Sequence, residues 1–155
     1  MYNTGAYVLQ QDTPAGYRQQ ATYNLFERAY RRGWWRRLIF TLLGRPHRLI
    51  ALKSVCRCSA ASRYAGIREV ELTHIIGSEG RNDDFDNAFH PISKHTRNRW
   101  ISIANARESM TPLPPVRLIQ IGQAYYVRDG HHRISVAHAL GEQAIEAEIN
   151  TYDLV

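Results

Sequence analysis

Apolar residues recur at helical spacing from Tyr17 to Arg32. At about 100° per residue, Tyr23, Leu25, Phe26, Ala29 and Tyr30 fall on one arc. Gln20, Asn24, Glu27, Arg28, Arg31 and Arg32 fall on the other, which is the pattern of an amphipathic helix with a basic outer face. Gly33 is expected to break or bend it. Trp34 to Leu43 is apolar nearly all round, interrupted by Arg36 and Arg37, and Gly44 followed by Arg45-Pro46 stops it. Residues 1–16 are polar and punctuated by Gly and Pro, so a loosely ordered start is expected. Residues 45–66 read as a basic connector with weak helical potential around Ala51.

The texture changes at Ile67. Val70 and Leu72 alternate with Glu69 and Glu71, the period-two signature of a half-buried strand over 67–72. Gly77–Asp86 reads as a polar loop. A helix follows over about Ser93–Met110, with Trp100, Ile103 and Ala104 on one face and Pro112, Pro114 and Pro115 as its stop. Two strands, Val116–Ile121 and Ala124–Arg128, flank Gly122-Gln123, a two-residue hairpin turn. A helix over His131–Leu140 ends at Gly141, and a strand over Ala144–Ile149 places Ile145, Ala147 and Ile149 on one side. The order strand, helix, hairpin, helix, strand is that of an α+β domain over 66–155. A basic helical extension and connector over 17–65 precedes it.

The turn Asp129-Gly130-His131-His132-Arg133 stands out for its chemistry. A strand leading through glycine into a helix presents unpaired amides and the positive end of the helix dipole to an anion. Gly130 admits close approach, His131 and His132 carry ring donors, and Arg133 carries a fork suited to phosphate. Val136, Ala137 and Leu140 lie within about 60° of Arg133 on the helix, so Arg133 sits on the core side. A guanidinium there needs an anionic partner, whether Asp129, a ligand, or both. The simpler alternative is that Asp129 caps the helix and pairs with Arg133 while both histidines are solvated.

Charge sharpens this division. The 155-residue chain carries a net +6. Residues 1–65 hold 11 Lys/Arg against 2 Asp/Glu, and residues 66–155 hold 9 against 12. The basicity therefore belongs to the extension. Arg28, Arg31, Arg32, Arg36 and Arg37, interleaved with Tyr30, Trp34 and Trp35, are candidates for nucleic-acid contact. The same stretch with Leu38–Leu43 also has the make-up of a membrane-surface helix, or of one packed on its own domain or on a second subunit in a homodimer. Hydrophobic content of 44% and charged content of 22% are those of an ordinary globular protein. Cys56 and Cys58 are too few and too close for a disulfide framework, and one Cys-x-Cys pair is an incomplete metal site. His47, His74, His90, His95 and His138 show no metal-ligand spacing and read as surface or core residues. No signal peptide and no apolar run near the ~20 residues of a membrane span is seen, so no transmembrane segment and a cytoplasmic location are expected.

The segment Tyr126-Val127-Arg128-Asp129-Gly130-His131-His132-Arg133-Ile134-Ser135-Val136-Ala137, then Leu140-Gly141 and the strand Ile145–Ile149, resembles the ParB/sulfiredoxin-like superfamily. There a strand enters a Gly-x-x-Arg turn, followed by a helix ending in Leu-Gly and a final strand. Upstream, Val70-Glu71-Leu72-Thr73-His74-Ile75 resembles the first strand and its exit. Gly80-Arg81 with Asp84-Phe85-Asp86 sits at the family's arginine-bearing loop, and Pro114-Pro115-Val116 precedes its central hairpin. The resemblance covers about residues 66–150 and implies a small mixed sheet with helices.

It also divides the functions. Sulfiredoxins carry a catalytic cysteine in a Gly-Cys-His-Arg turn; His131 stands at that position, so sulfinic-acid reduction is not expected. Partition proteins of the ParB type bind and hydrolyse CTP through a Gly-Glu-Arg-Arg turn. This chain keeps Gly130 and Arg133 but not the middle pair, and a complete partition protein is not expected. The Asp-Gly-His-His-Arg form is similar to the turn of free-serine kinases, which implies catalytic roles for Asp129 and, by position, Glu79. The resemblance thus implies an NTPase or small-molecule kinase. Gly130, His131, His132, Arg133 and Arg81 would hold the phosphates of CTP, ATP or ADP, and Asp129 would serve as Mg²⁺ partner or base. The other class left open is a non-catalytic, DNA-associated regulatory module.

Overall fold

The hairpin around Gly122 forms the middle of the sheet. The computed structural model describes residues 15–55, 62–80 and 83–152. Strands β4 (Val116–Ile121) and β5 (Ala124–Asp129) pair antiparallel across a turn with Gly122 at φ +60°. Beside β4 runs β6 (Ala144–Thr151), parallel to it, and β2 (Arg63–Glu71) closes that edge antiparallel to β6. On the other side, β3 (Ile75–Ser78) lies parallel to β5, and the two-residue β1 (Ile50–Ala51) lies parallel to β3. The six-stranded order is β1-β3-β5-β4-β6-β2. With helices α1 (Ala15–Leu42), α2 (Leu52–Val55), α3 (Arg97–Glu108) and α4 (His131–Leu140), the fold class is α+β.

Alternation within β4 divides the core. Val116 and Leu118 face the main cluster with Phe26, Trp100, Ile134, Val136 and Ile149. Ile119 and Ile121 face a smaller one with Tyr126 and Leu52 of α2, as successive strand residues must. Trp100 of α3 is the keystone of the helical side. It is fully buried, meets Phe26 of α1 edge-on at 5.4 Å, and donates from Nε1 to the Ser135 hydroxyl of α4 at 2.8 Å.

Five elements differ from the sequence expectation. Gly33 does not break α1, which runs as one 28-residue helix. A Cβ there would lie 2.8 Å from the Pro91 carbonyl oxygen and 3.0 Å from His90 Cβ, so glycine is present to let helix and loop touch. Its propensity cost of about 1 kcal/mol is offset by burial of Phe26 and Ala29. Ile75–Ser78, half of which had read as polar loop, is a buried strand, and a Cβ on Gly77 would come within 2.3 Å of the Ile50 carbonyl oxygen. The helix after Ser93 begins later than expected, because Lys94–Thr96 form a 3-10 turn before α3. β2 starts at Arg63, so it and β1 bring residues of the 17–65 segment into the sheet.

Buried polar groups brace the helices against the loop before α3. Asp86 is fully buried and accepts from the amides of Ala88 (2.9 Å) and His90 (2.8 Å), from Arg36 Nε (3.2 Å), and faces His90 Nδ1 at 3.1 Å. Burial pushes its pKa up, but His90 and the amide donors outweigh this and hold it below the usual carboxylate range. His138 of α4 stacks on Phe89 at 5.7 Å, and its pKa is lowered by burial and by His90, with Asp86 acting in the opposite direction. The native state therefore holds His138 neutral while the unfolded chain protonates near pH ~6.5. The stability this provides is complete above that pH and is lost as pH falls below it. Urea midpoints measured from pH 8 downward are expected to decline once pH passes about 6.5. The decline should be shallower in His138→Leu, and identical slopes would exclude His138 as a source.

Candidate functional site

The Asp129–Arg133 turn is positioned by β5 and α4 together. Gly130 joins them at φ +103° and ψ 18°, a conformation that disfavours any side chain. Space excludes one as well, since a Cβ would lie 2.6 Å from Val116 Cγ1. One turn into α4, Arg133 reaches back to Asp129, with Nη2 2.8 Å from Oδ2. Its Nη1 donates to the carbonyls of Pro114 and Pro115, the latter at 2.9 Å. The bend before β4 thus supplies two backbone acceptors to Arg133. Arg133 is largely enclosed, its side chain 12% exposed, whereas the Asp129 carboxylate is 59% exposed.

Opposing influences act on the paired Arg133 guanidinium. Burial lowers the Arg133 pKa, Asp129 raises it, and the nearby Arg99 guanidinium lowers it again, with a net downward shift. Arg133 stays charged at neutral pH. Arg99, the third residue of α3, lines a cleft of about 70 Å³ with Ile103 and the whole turn Asp129–Arg133, His131 and His132 included. The ladder of α4 opens with the Ile134 amide on the Gly130 carbonyl at 3.0 Å, so the first-turn amides point out of the helix start. Two guanidiniums, a helix N-terminus and one exposed carboxylate therefore converge on one small polar cleft. Arg99 is the residue that sequence reasoning missed.

The histidines are not solvated. His131 and His132 are 4% and 6% exposed, because α4 is buried on most of its circumference. The His131 ring lies parallel to Phe85, and its Nε2 sits 2.6 Å from the Ser78 hydroxyl. His132 meets Phe85 edge-on at 5.3 Å. The His131 ring is thus engaged by β3, and what its position adds at the helix start is backbone.

Glu79 is not brought to Asp129. Its carboxylate accepts from Arg128 Nε at 2.9 Å and Nη2 at 3.2 Å, and Arg128 also donates to the Tyr152 hydroxyl at 2.8 Å. This network, led by the Glu79 hydrogen bond, raises the Arg128 pKa. Arg128 and Asp129 are consecutive in β5 and point to opposite faces, so Glu79 pairs on the face away from the cleft. Arg81 lies outside the described residues, as do Cys56 and Cys58. Arg28, Arg31, Arg32, Arg36 and Arg37 all lie on α1, away from the cleft. Arg36 is committed to Asp86 and Asn87, both at 3.2 Å. Among the described residues no group of three or more His, Cys, Asp or Glu could hold a metal ion. Among the described residues, Asp129 is the one carboxylate lining the cleft.

No family model matches this chain, and no curated protein matches it significantly. Among solved structures it is similar to the crystal structure of sulfiredoxin from Arabidopsis thaliana, with a TM-score of 0.42 and 21% identity. The alignment covers 55% of this chain and 84% of that one. No helix of the described residues is long and apolar enough to cross a membrane.

Proposed function

We propose that the Asp129–Arg133 turn is a phosphate site for a nucleotide such as CTP, ATP or ADP, bound with Mg²⁺. The observation that carries this reading is the convergence of Arg99 and Arg133 on the helix start, with Arg133 fixed by Asp129 and two carbonyls. A cleft of about 70 Å³ admits phosphoryl groups rather than a whole nucleotide, for which sites of ~300 Å³ and above are usual. The sugar and base would rest on the exposed surface beside α3, so affinity should follow phosphate count more than base identity. Mg²⁺ commonly binds through one or two carboxylates with the remaining ligands from phosphate and water, a demand that Asp129 alone can meet. When bound, the ion would offset charge on the transferring phosphoryl group.

The chain's own contribution to NTP hydrolysis or phosphoryl transfer would be placement and charge. Arg133, Arg99 and the amides of residues 130–133 would hold the phosphates. Asp129, steadied by Arg133, would take the proton of the attacking water or hydroxyl if it is not serving the metal. Glu79 has no part in this scheme, being paired with Arg128.

Arg99→Ala is the cleanest test, because Arg99 is exposed and its loss leaves the core intact. Calorimetric titration with each nucleotide and Mg²⁺ is expected to show binding that weakens about tenfold in the variant, as for a lost charge-assisted contact. No heat with any of the three nucleotides, or an Arg99→Ala variant indistinguishable from wild type, would sink the assignment.

A further inference from the structure

The C-terminal half of α1 presents an apolar surface that no described part of the chain covers. Trp34, Trp35, Leu42 and Leu43 are 50, 56, 78 and 62% exposed, and Leu38 and Ile39 are exposed beside them. The helix packs inward through Thr22, Phe26, Ala29 and Gly33. At about 100° per residue, Arg28, Arg31 and Arg32 fall on the same outward half as Trp35, Leu38, Ile39 and Leu42. One continuous face is therefore basic over its middle turns and apolar over its last three. Arg37 and Arg45 flank the apolar end, and both are exposed. The helix closes there with the Arg45 amide on the Phe40 carbonyl at 2.9 Å and Gly44 at φ +63°.

We propose that this end of α1 seats on an anionic membrane surface. It would lie in the interface, with Trp34, Trp35, Leu38, Ile39 and Leu42 among the acyl chains and the arginines at headgroup level. Ten residues of helix reach only about 15 Å, half a bilayer core, so the mode is interfacial and not spanning. Tryptophans at the boundary and arginines on either side suit the two layers they would occupy. A groove of about 520 Å³ between α1 and His90, lined by Arg28, Arg32, Trp35 and Ile39, adjoins the patch and offers a headgroup phosphate a cationic seat.

Charge and texture argue against other occupants. Glu27, the one acid of α1, is paired with Arg97 at 2.9 Å. A symmetric contact with a second copy would therefore bring arginine against arginine around the apolar centre. A nucleic-acid backbone would satisfy the arginines but leave Leu38, Ile39, Leu42 and Leu43 against phosphate and water. This role is independent of the phosphate cleft, which contains no residue of α1.

The test is co-sedimentation of the full chain with phosphatidylcholine vesicles, with and without about 30% phosphatidylserine to supply surface charge. The protein is expected to pellet with the anionic vesicles, and its tryptophan emission to shift to the blue as Trp34 and Trp35 leave water. The double variant Ile39→Asp, Leu42→Asp changes exposed residues only and should keep its circular-dichroism spectrum. It should lose at least about tenfold in vesicle partition, as expected from removing two buried aliphatic contacts. Equal binding to neutral vesicles, or undiminished binding by the double variant, overturns the assignment. So does protein that stays in the supernatant, whether it then dimerises through the patch, binds a single-stranded oligonucleotide through the arginines, or does neither.

Discussion

Trp100→Ala is expected to cost about 3–5 kcal/mol of stability, the range for truncating a large buried aromatic. Native domains hold only about 5–15 kcal/mol in total, so the variant should be largely unfolded in modest urea. The size of the effect follows from what Trp100 joins. It is fully buried between Phe26 of α1 and Ser135 of α4, so truncation opens a cavity where three helices meet. It also leaves the buried Ser135 hydroxyl without its indole donor. Trp100→Phe keeps most of the ring and loses the hydrogen bond, and should cost about 1–2 kcal/mol. Urea unfolding followed by circular dichroism separates the two. A Trp100→Ala midpoint close to wild type would mean that the three helices do not share this core.

Arg133→Ala should have the largest effect on binding. A charge-assisted hydrogen bond contributes about 1.5–3 kcal/mol, which corresponds to a loss of roughly 10- to 100-fold in nucleotide affinity. A second penalty of about 1–3 kcal/mol in stability is expected as well, because the carbonyls of Pro114 and Pro115 lose their donor. Arg133→Lys distinguishes charge from shape. The ammonium keeps the cation but cannot fork between Asp129 and the proline carbonyls, so affinity should fall part of the way while the bend before β4 still loosens. Calorimetry on both variants, alongside their urea midpoints, reads the two effects separately. Full retention of affinity in Arg133→Ala would remove the turn as a phosphate site.

Much of the fold was legible because the C-terminal half is well punctuated. Gly122, Gly130 and Gly141 all sit at positive φ, and they bracket β4, β5 and α4 at the residues where the pattern placed them. What escaped the sequence was tertiary. β3 is four residues long and ends in Gly-Ser, which reads as loop until Tyr126 and Ile50 are seen pressing on Gly77. Gly33 reads as a breaker because the Pro91 carbonyl it accommodates is 58 positions away in the chain.

The site was half legible for the same reason. Asp129, Gly130 and Arg133 are local to one turn, and their spacing alone indicates a core-side cation beside a carboxylate. Arg99 is remote, and on its own helix it looks like any solvated arginine. Only the packing of α3 on α4 turns it toward the cleft. Position in a loop suggested Glu79 as a companion to Asp129, but strand alternation sends its partner Arg128 to the opposite face. The two histidines look like solvated donors in a polar run; burial of α4 on nearly every side packs their rings around Phe85, while both residues still line the cleft.

Amide chemical shifts of the ¹⁵N-labelled chain, followed during titration with Mg²⁺ and ATP, test the phosphate site most directly. The expected result is saturable movement centred on the amides of Gly130, His131, His132 and Arg133, with Arg99 responding from α3 and Arg133→Ala abolishing the pattern. Saturating nucleotide that leaves those amides unmoved, or moves only residues of α1, would contradict it.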